Sequence, residues 1–383
     1  MISTNRRLFE QGLTRESNSL SDRESKTDSN QIGVQEIADS LGISRGTVDR
    51  ALHNRPGVSV STKRRVLRAA EKLGYRPNLA ARFLSSSKRI TIGVAIPREV
   101  AYFYDEVREG IFEAASVFEP LGIKILYRPY DRFGPHEIKA LRDVLQEDIS
   151  GLIISPAYPN KLLTHIDEAA RRNIPVVCVG TDAPGTKRLT SISVNPLVSG
   201  ALAGELMGHF LRDTAQVIVF IGMHATVDHE QKLQSFRSNF RAFCAKGEIA
   251  SIVETHDEPD EAYLKCRKAL EQHPPAKGIY VATANSMPVI KALEESGMAG
   301  KIKVIGTDLF PAMFPYIRSG TIAATIYQRA REQGARAIQT TVRFVTEKLQ
   351  PAAQISINPT IVMRGNLDLF AMNGSSTEPK SGF

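Results

Sequence analysis

At 383 residues the chain is too long for one ordinary domain, and its 42% hydrophobic and 23% charged residues are those of a soluble globular protein with two or three folded units, which excludes general disorder. The net charge of +8 is concentrated: residues 31–89 hold 12 Lys and Arg against 4 Asp and Glu, while the segments on either side balance. A basic head of domain size on a neutral body is the footprint of a module that meets polyphosphate.

Residues 1–30 are polar without apolar periodicity and read as a flexible extension, with none of the pattern of a signal peptide. No window approaches the ~20 consecutive apolar residues of a membrane helix. Cys178, Cys244 and Cys266 show no C-x-x-C spacing, so a reduced, cytoplasmic setting is expected, with no membrane partner.

Between 34 and 74 the pattern is helical. Val34, Ile37, Ala38 and Leu41 share one face of a first helix, and Gly42 breaks it. Ser44 suits the N-cap of a second helix over 45–53, whose Val48, Ala51 and Leu52 turn inward. Ser59 or Ser61 caps a third, with Val66, Ala69, Ala70 and Leu73 as its stripe. From 90 onward, apolar runs such as Ile90–Pro97, Ile123–Tyr127 and Gly151–Ser155 alternate with amphipathic helices, the signature of parallel sheets covered on both faces. More than ten strands exceed one open sheet, so two lobes are expected. We place lobe 1 at about 90–192 plus 322–355 and lobe 2 at about 193–321 plus 356–370, with Ile192–Asn195 as a candidate hinge and a flexible tail over 371–383.

The chain carries no Walker-type loop, H-E-x-x-H or G-x-S-x-G, so neither an enzyme, a metal nor a cofactor is expected. The acidic run His256–Glu261 reads as a solvated loop.

The segment from Val34 to Ser59, with Ile37-Ala38, Gly42-Ile43-Ser44-Arg45-Gly46-Thr47-Val48 and Asn54-Arg55-Pro56-Gly57, continued by Arg65–Asn78, closely resembles the head of lac repressor (LacI/GalR) family regulators. The resemblance implies a helix-turn-helix over 31–77, a hinge helix and linker over 78–89, and an operator of double-stranded DNA. A recognition helix must project polar side chains into the major groove while its other face stays packed. Arg45, Gly46, Asp49 and Arg50 occupy that outer face. By resemblance Arg45, Gly46 and Arg50 read bases, Thr47 meets a base or phosphate, and Ser44, Asn54 and Asn78 complete the set at the duplex. Arg82 suits a phosphate, and Leu84 stands where relatives wedge a leucine into the minor groove.

Residues 90 to about 365 resemble the periplasmic sugar-binding fold of the ribose-binding branch. The fold class is therefore an all-α helix-turn-helix head plus an α/β two-lobed periplasmic-binding-protein-like (type I) domain with parallel sheets. Phe103 and Tyr104 match the aromatic pair that stacks on a sugar, and Asp182 suits a hydroxyl acceptor. Lys232 stands where relatives often carry Arg, and Asn285, Asp308 and Gln328 match the residues that hold ring hydroxyls. Asn285 and Asp308 also suit helix N-caps, Phe103 and Tyr104 also suit a core, and Asn195 suits a hinge or a pocket edge. The implied function is a homodimeric transcription regulator, a repressor in type, in which a sugar bound between the lobes controls the grip on a pseudo-palindromic operator. A phosphorylated metabolite or a protein partner is the alternative effector, for which Lys232 and Arg188 are the visible basic candidates.

Overall fold

The computed structural model describes residues 33–52, 56–73, 90–98, 100–212 and 215–371. The chain divides into two units, Met1–Ser86 and Ser87–Phe383. The expected extension over 1–30, the hinge segment over 78–89 and the tail from 372 on lie outside the described residues.

In the first unit, α1 (Val34–Leu41), α2 (Arg45–Leu52) and α3 (Val60–Lys72) follow the apolar spacing. Ile37 and Ala38, Val48 and Ala51, and Val66 and Ala70 meet in one small core. The turn after α1 requires a left-handed residue, which Gly42 supplies at φ 63°, and the Ile43 N–H then closes on the Ala38 carbonyl at 3.1 Å. Of the two candidate serines Ser59 caps α3, its Oγ accepting from the Thr62 N–H at 3.1 Å.

The second unit contains two sheets. The first is built from β1 (Ile90–Ala95), β2 (Ile123–Tyr127), β3 (Gly151–Ile154), β4 (Val176–Val179), β5 (Thr190–Val194) and β11 (Gln354–Ile357), in the order β11-β5-β4-β3-β1-β2, all parallel. The other comprises β6 (Gln216–Ile221), β7 (Glu248–Glu254), β8 (Ala276–Val281), β9 (Lys303–Thr307), β10 (Ile322–Tyr327) and β12 (Thr360–Val362), in the order β12-β10-β9-β8-β6-β7, antiparallel only between β10 and β12. Helices α4 (Ala101–Ser116), α5 (Pro135–Leu145), α6 (Pro159–Arg171) and α12 (Ala330–Glu347) cover the first sheet. Lobe 2 carries α7 (Pro196–Leu211), α8 (Val227–Phe243), α9 (Pro259–Gln272), α10 (Ser286–Glu295), α11 (Phe314–Ser319) and α13 (Asp368–Ala371).

Two features depart from the sequence reading. The chain crosses between lobes after Val194, between Tyr327 and Ala330, and between Ile357 and Thr360. Residues 322–327 therefore belong to lobe 2 and not lobe 1, because β10 pairs with β9, Thr325 opposite Gly306 and Ile326 opposite Thr307. Strand β5 shows no apolar run because Thr190, Ser191 and Ser193 are three of its five residues, yet all five are buried.

Helix α7 places Gly200, Gly204 and Gly208 one turn apart on the face that meets α8. A Cβ on Gly204 would stand 2.6 Å from the Phe236 carbonyl, and one on Gly200 would run into the carbonyl of Lys232. This backbone approach sets where α8 delivers Lys232. Gly200→Ala is expected to overpack the pair by about 1–3 kcal/mol. Calorimetry should register it as a midpoint lowered by about 2–4 °C per kcal/mol.

Candidate functional site

Two sites are built from these elements, one on each unit. On the first, α2 turns Val48 and Ala51 inward, leaving Ser44, Arg45, Gly46 and Arg50 exposed and Thr47 and Asp49 half-buried. Ser44 Oγ accepts from the Thr47 N–H at 3.2 Å, starting the helix, and lies 2.9 Å from Thr47 Oγ1. Thr47 Oγ1 also accepts from Arg50 Nη2 at 3.4 Å, which ties one guanidinium to the helix start. The outcome is a short helix whose outer face is small, polar and cationic. Asn54, Asn78, Arg82 and Leu84 lie outside the described residues.

The second site is a cleft where the carboxyl ends of both sheets face each other, the usual place for ligands in open α/β sheets. It encloses about 460 Å³ of empty space, its mouth included. From lobe 1 the first turn of α4 brings Phe103 and Tyr104, and the loops after β3 and β4 bring Ala157 and Gly180 with Thr181. Tyr104 donates to or accepts from Ser155 Oγ at 2.7 Å and meets Phe103 edge-on at 5.0 Å. Gly180 sits at φ 81°, and a Cβ there would come within 2.9 Å of the Phe103 ring, so only glycine lets that ring reach the wall.

Lobe 2 supplies the polar wall. Lys232, fully buried on α8, donates to Asp228 Oδ2 and to Gln328 Oε1, each at 2.9 Å. Gln328 Nε2 in turn donates to Asp308 Oδ1 at 2.9 Å. Burial alone would raise the Asp228 carboxyl and lower the Lys232 ammonium. Their mutual attraction wins, holding Asp228 below and Lys232 above their ordinary ranges. Asp308 takes the left-handed φ of 68°, rare for a residue with a Cβ, and burial pushes its carboxyl up to about 6. Its second oxygen, Oδ2, has no protein partner, and neither does buried Asn285 Nδ2. Asn285 stands at the N-cap position of α10 but makes no side-chain cap bond.

The structure thus brings Phe103, Tyr104, Lys232, Asp308 and Gln328 onto one cavity, with Asn285 buried beside Ala284 of its wall. Asp182 departs from expectation. It lies outside the lining, its carboxylate engaged by Arg188 Nε and, at 2.7 Å, by Arg188 Nη2. Arg188 is thereby removed from the basic candidates. Asn195 caps α7, accepting from the Leu197 N–H at 3.0 Å directly after the first crossover.

Three ionisable lining residues escape sequence reading: Asp228, His229 and Asp257. The i,i+4 spacing of Asp228 to Lys232 was the available signal. Asp257 was hidden inside the run His256–Glu261, and that run is not simply a solvated loop. Asp257 is buried, and its Oδ1 accepts from Thr283 Oγ1 at 2.7 Å. His229 Nδ1 accepts from the Met223 N–H at 3.1 Å, so a neutral ring carries its proton on Nε2.

Because the Asp308 carboxyl is raised, the stability it contributes is complete below pH 3.8 and is lost as pH climbs through about 6. At pH 8 the protein carries an ionised buried carboxylate. Asp308→Asn should therefore stabilise the ligand-free protein at pH 8 by up to about 3 kcal/mol, with little gain at pH 4, as read by urea melts at both pH values.

Comparison with known proteins finds a family match within each of the two units. The lacI family of bacterial regulatory proteins matches residues 34–78, and the periplasmic binding protein domain matches residues 92–349. Catabolite control protein A of Priestia megaterium is 26% identical over 285 residues, spanning 72% of this chain and 82% of that protein. The ribose operon repressor of Halalkalibacterium halodurans is 25% identical over 339 residues, spanning 86% and 96%. Among solved structures, an ABC transporter solute binding protein from Burkholderia graminis in complex with D-arabinose has a TM-score of 0.69 at 23% identity, covering 77% of this chain and 100% of that one. GanP, a glucose-galactose binding protein from Geobacillus stearothermophilus, has a TM-score of 0.68 at 24% identity, covering 73% and 99%.

Proposed function

Since the chain belongs to the lacI family of bacterial regulatory proteins, with a periplasmic binding protein domain as the bulk of its second unit, we propose that it is a DNA-binding transcription repressor whose operator affinity is set by a sugar held between its two lobes. The observation that carries the effector half is the cleft wall itself. Aromatic rings on lobe 1 face a polar network on lobe 2 that ends in an unpartnered buried acceptor, Asp308 Oδ2, and an unpartnered buried donor, Asn285 Nδ2, stands next to Ala284 of the same wall. Flat rings suit sugar C–H faces, and hydroxyls both donate and accept, so one polyol satisfies both orphans.

Charge favours an uncharged sugar over a phosphorylated metabolite. Among the described residues, Asp228, Asp257 and Asp308 line the cleft against a single Lys or Arg, Lys232, and that cation is already engaged by Asp228 and Gln328. An anionic group would meet carboxylates with no free positive partner.

The DNA half rests on α2. Its exposed Arg45 and Arg50 suit bidentate readout of guanine edges, and the basic excess of the head suits phosphates. One such head binds weakly, so the protein acts as a homodimer in the cytoplasm, two heads reading the halves of a pseudo-palindromic operator. Sugar alters the closure of the lobes, and through the dimer the spacing of the heads.

Two measurements test this. In a thermal-shift screen, uncharged pentoses or hexoses should raise the melting midpoint while uronates and sugar phosphates do not, and Asn285→Ala and Asp308→Ala should abolish the shift. Undiminished response in both variants defeats the cleft assignment. Arg50→Ala should weaken binding to a selected operator by about 5- to 150-fold, followed by fluorescence anisotropy at fixed salt.

A further inference from the structure

Tyr102 and Phe310 belong to different lobes, yet their rings lie face to face with centroids 3.9 Å apart and planes 8° from parallel. Tyr102 lies in the first turn of α4 and is half exposed, whereas Phe310 follows β9 and is buried. Neither lines the cleft. Each is a near neighbour of residues that do: Tyr102 stands between Val100 and Phe103, and Phe310 comes two residues after Asp308. Two further contacts bridge the lobes alongside it. Thr226 Oγ1 donates to the Ala157 carbonyl at 3.4 Å, and Arg132 Nη1 lies 3.6 Å from Glu258 Oε1. The Arg132 pair is solvent-facing and contributes little by itself, so the ring stack is the one apolar contact among the three.

We propose that the Tyr102–Phe310 stack is a clasp that holds the two lobes closed over the cleft, so that effector exchange requires the rings to part. The contact exists only when the lobes are together, so its free energy falls entirely on the closed state and shifts the open–closed balance toward it. A stacked pair of this kind alters such a balance by about 2- to 10-fold. Both rings are rigidly joined to the grips on either side of the ligand, since movement of Tyr102 carries Phe103 and movement of Phe310 carries Asp308. Only the consequence for exchange rests on reading the cleft as the effector site. The clasp itself rests on the lobe contacts.

The test uses distance measurement between labels on the full chain without sugar. All three native cysteines are buried, so Lys139→Cys on α5 and Lys268→Cys on α9, both at exposed positions, accept a spin-label pair that reports lobe separation. The parent is expected to populate a short distance, and Tyr102→Ala to shift the ratio of populations about 2- to 10-fold toward a longer one. Tyr102→Phe, which keeps the ring, should retain the parent distribution. Tyr102 is half exposed, so the melting midpoint of Tyr102→Ala serves as the folding control. A parent lacking the short distance, or a Tyr102→Ala distribution identical to the parent's, overturns the clasp. Because no sugar enters these measurements, the sugar screen can fail while the measured lobe distances still decide for or against the clasp.

Discussion

A buried ammonium persists only when its protons have acceptors, and Lys232 draws its acceptors from two elements that are distant in the chain. Asp228 lies one turn earlier on α8, and Gln328 directly follows β10. Taking Asp228 away would strand a charge in the lobe interior, and taking Gln328 away would leave one ammonium proton without its acceptor. The pair therefore pins α8 against the end of β10, and Gln328, through its other amide atom, pins Asp308 at the end of β9. The polar wall of the cleft is a consequence of this one charge being satisfied.

Gln328 does more than join the wall. It lies in the segment by which the chain returns to lobe 1, and its backbone carbonyl accepts from Gln333 Nε2 on α12 at 2.8 Å. Next to it Arg329 adopts φ 54°. A side chain of the cleft wall thus sits in a crossover segment, so the wall of the pocket and the connection between lobes share atoms. Coupling of this type needs no long pathway, only a two-state hinge that the ligand biases.

The cleft also concentrates features that weaken the ligand-free protein. Asp308 combines a left-handed backbone, a carboxyl raised by burial and an oxygen without a partner. Each feature is unfavourable alone, and under the proposed function a ligand in the cleft relieves them together. Around them the structure is conventional: buried strands such as Val176–Val179, and glycine-lined helix contacts that tolerate no added atom. The first unit is the opposite case, a core of six small or medium apolar residues whose polar face stays in water.

Local pattern by itself determined much of this protein. The three-helix head, its Gly42 turn and its inward Val48 and Ala51 depend on contacts within some 40 residues, where periodicity and cap chemistry are decisive. The aromatic pair and the residues at strand ends were named through the resemblance to the ribose-binding branch, and they meet on one cavity because parallel sheets present the same ends of their strands. Strand β5 was not, since burial by both sheet faces lets Thr and Ser occupy a core strand without an apolar run. Nor was the lobe that owns 322–327, because strand partnership is a long-range choice made by β9 and β10 together. Tertiary structure alone separated Asp182 from Asp257. Two loop aspartates look alike in sequence, and which one faces the cavity was decided by whether an arginine, Arg188, lay close enough in space to claim the carboxylate first.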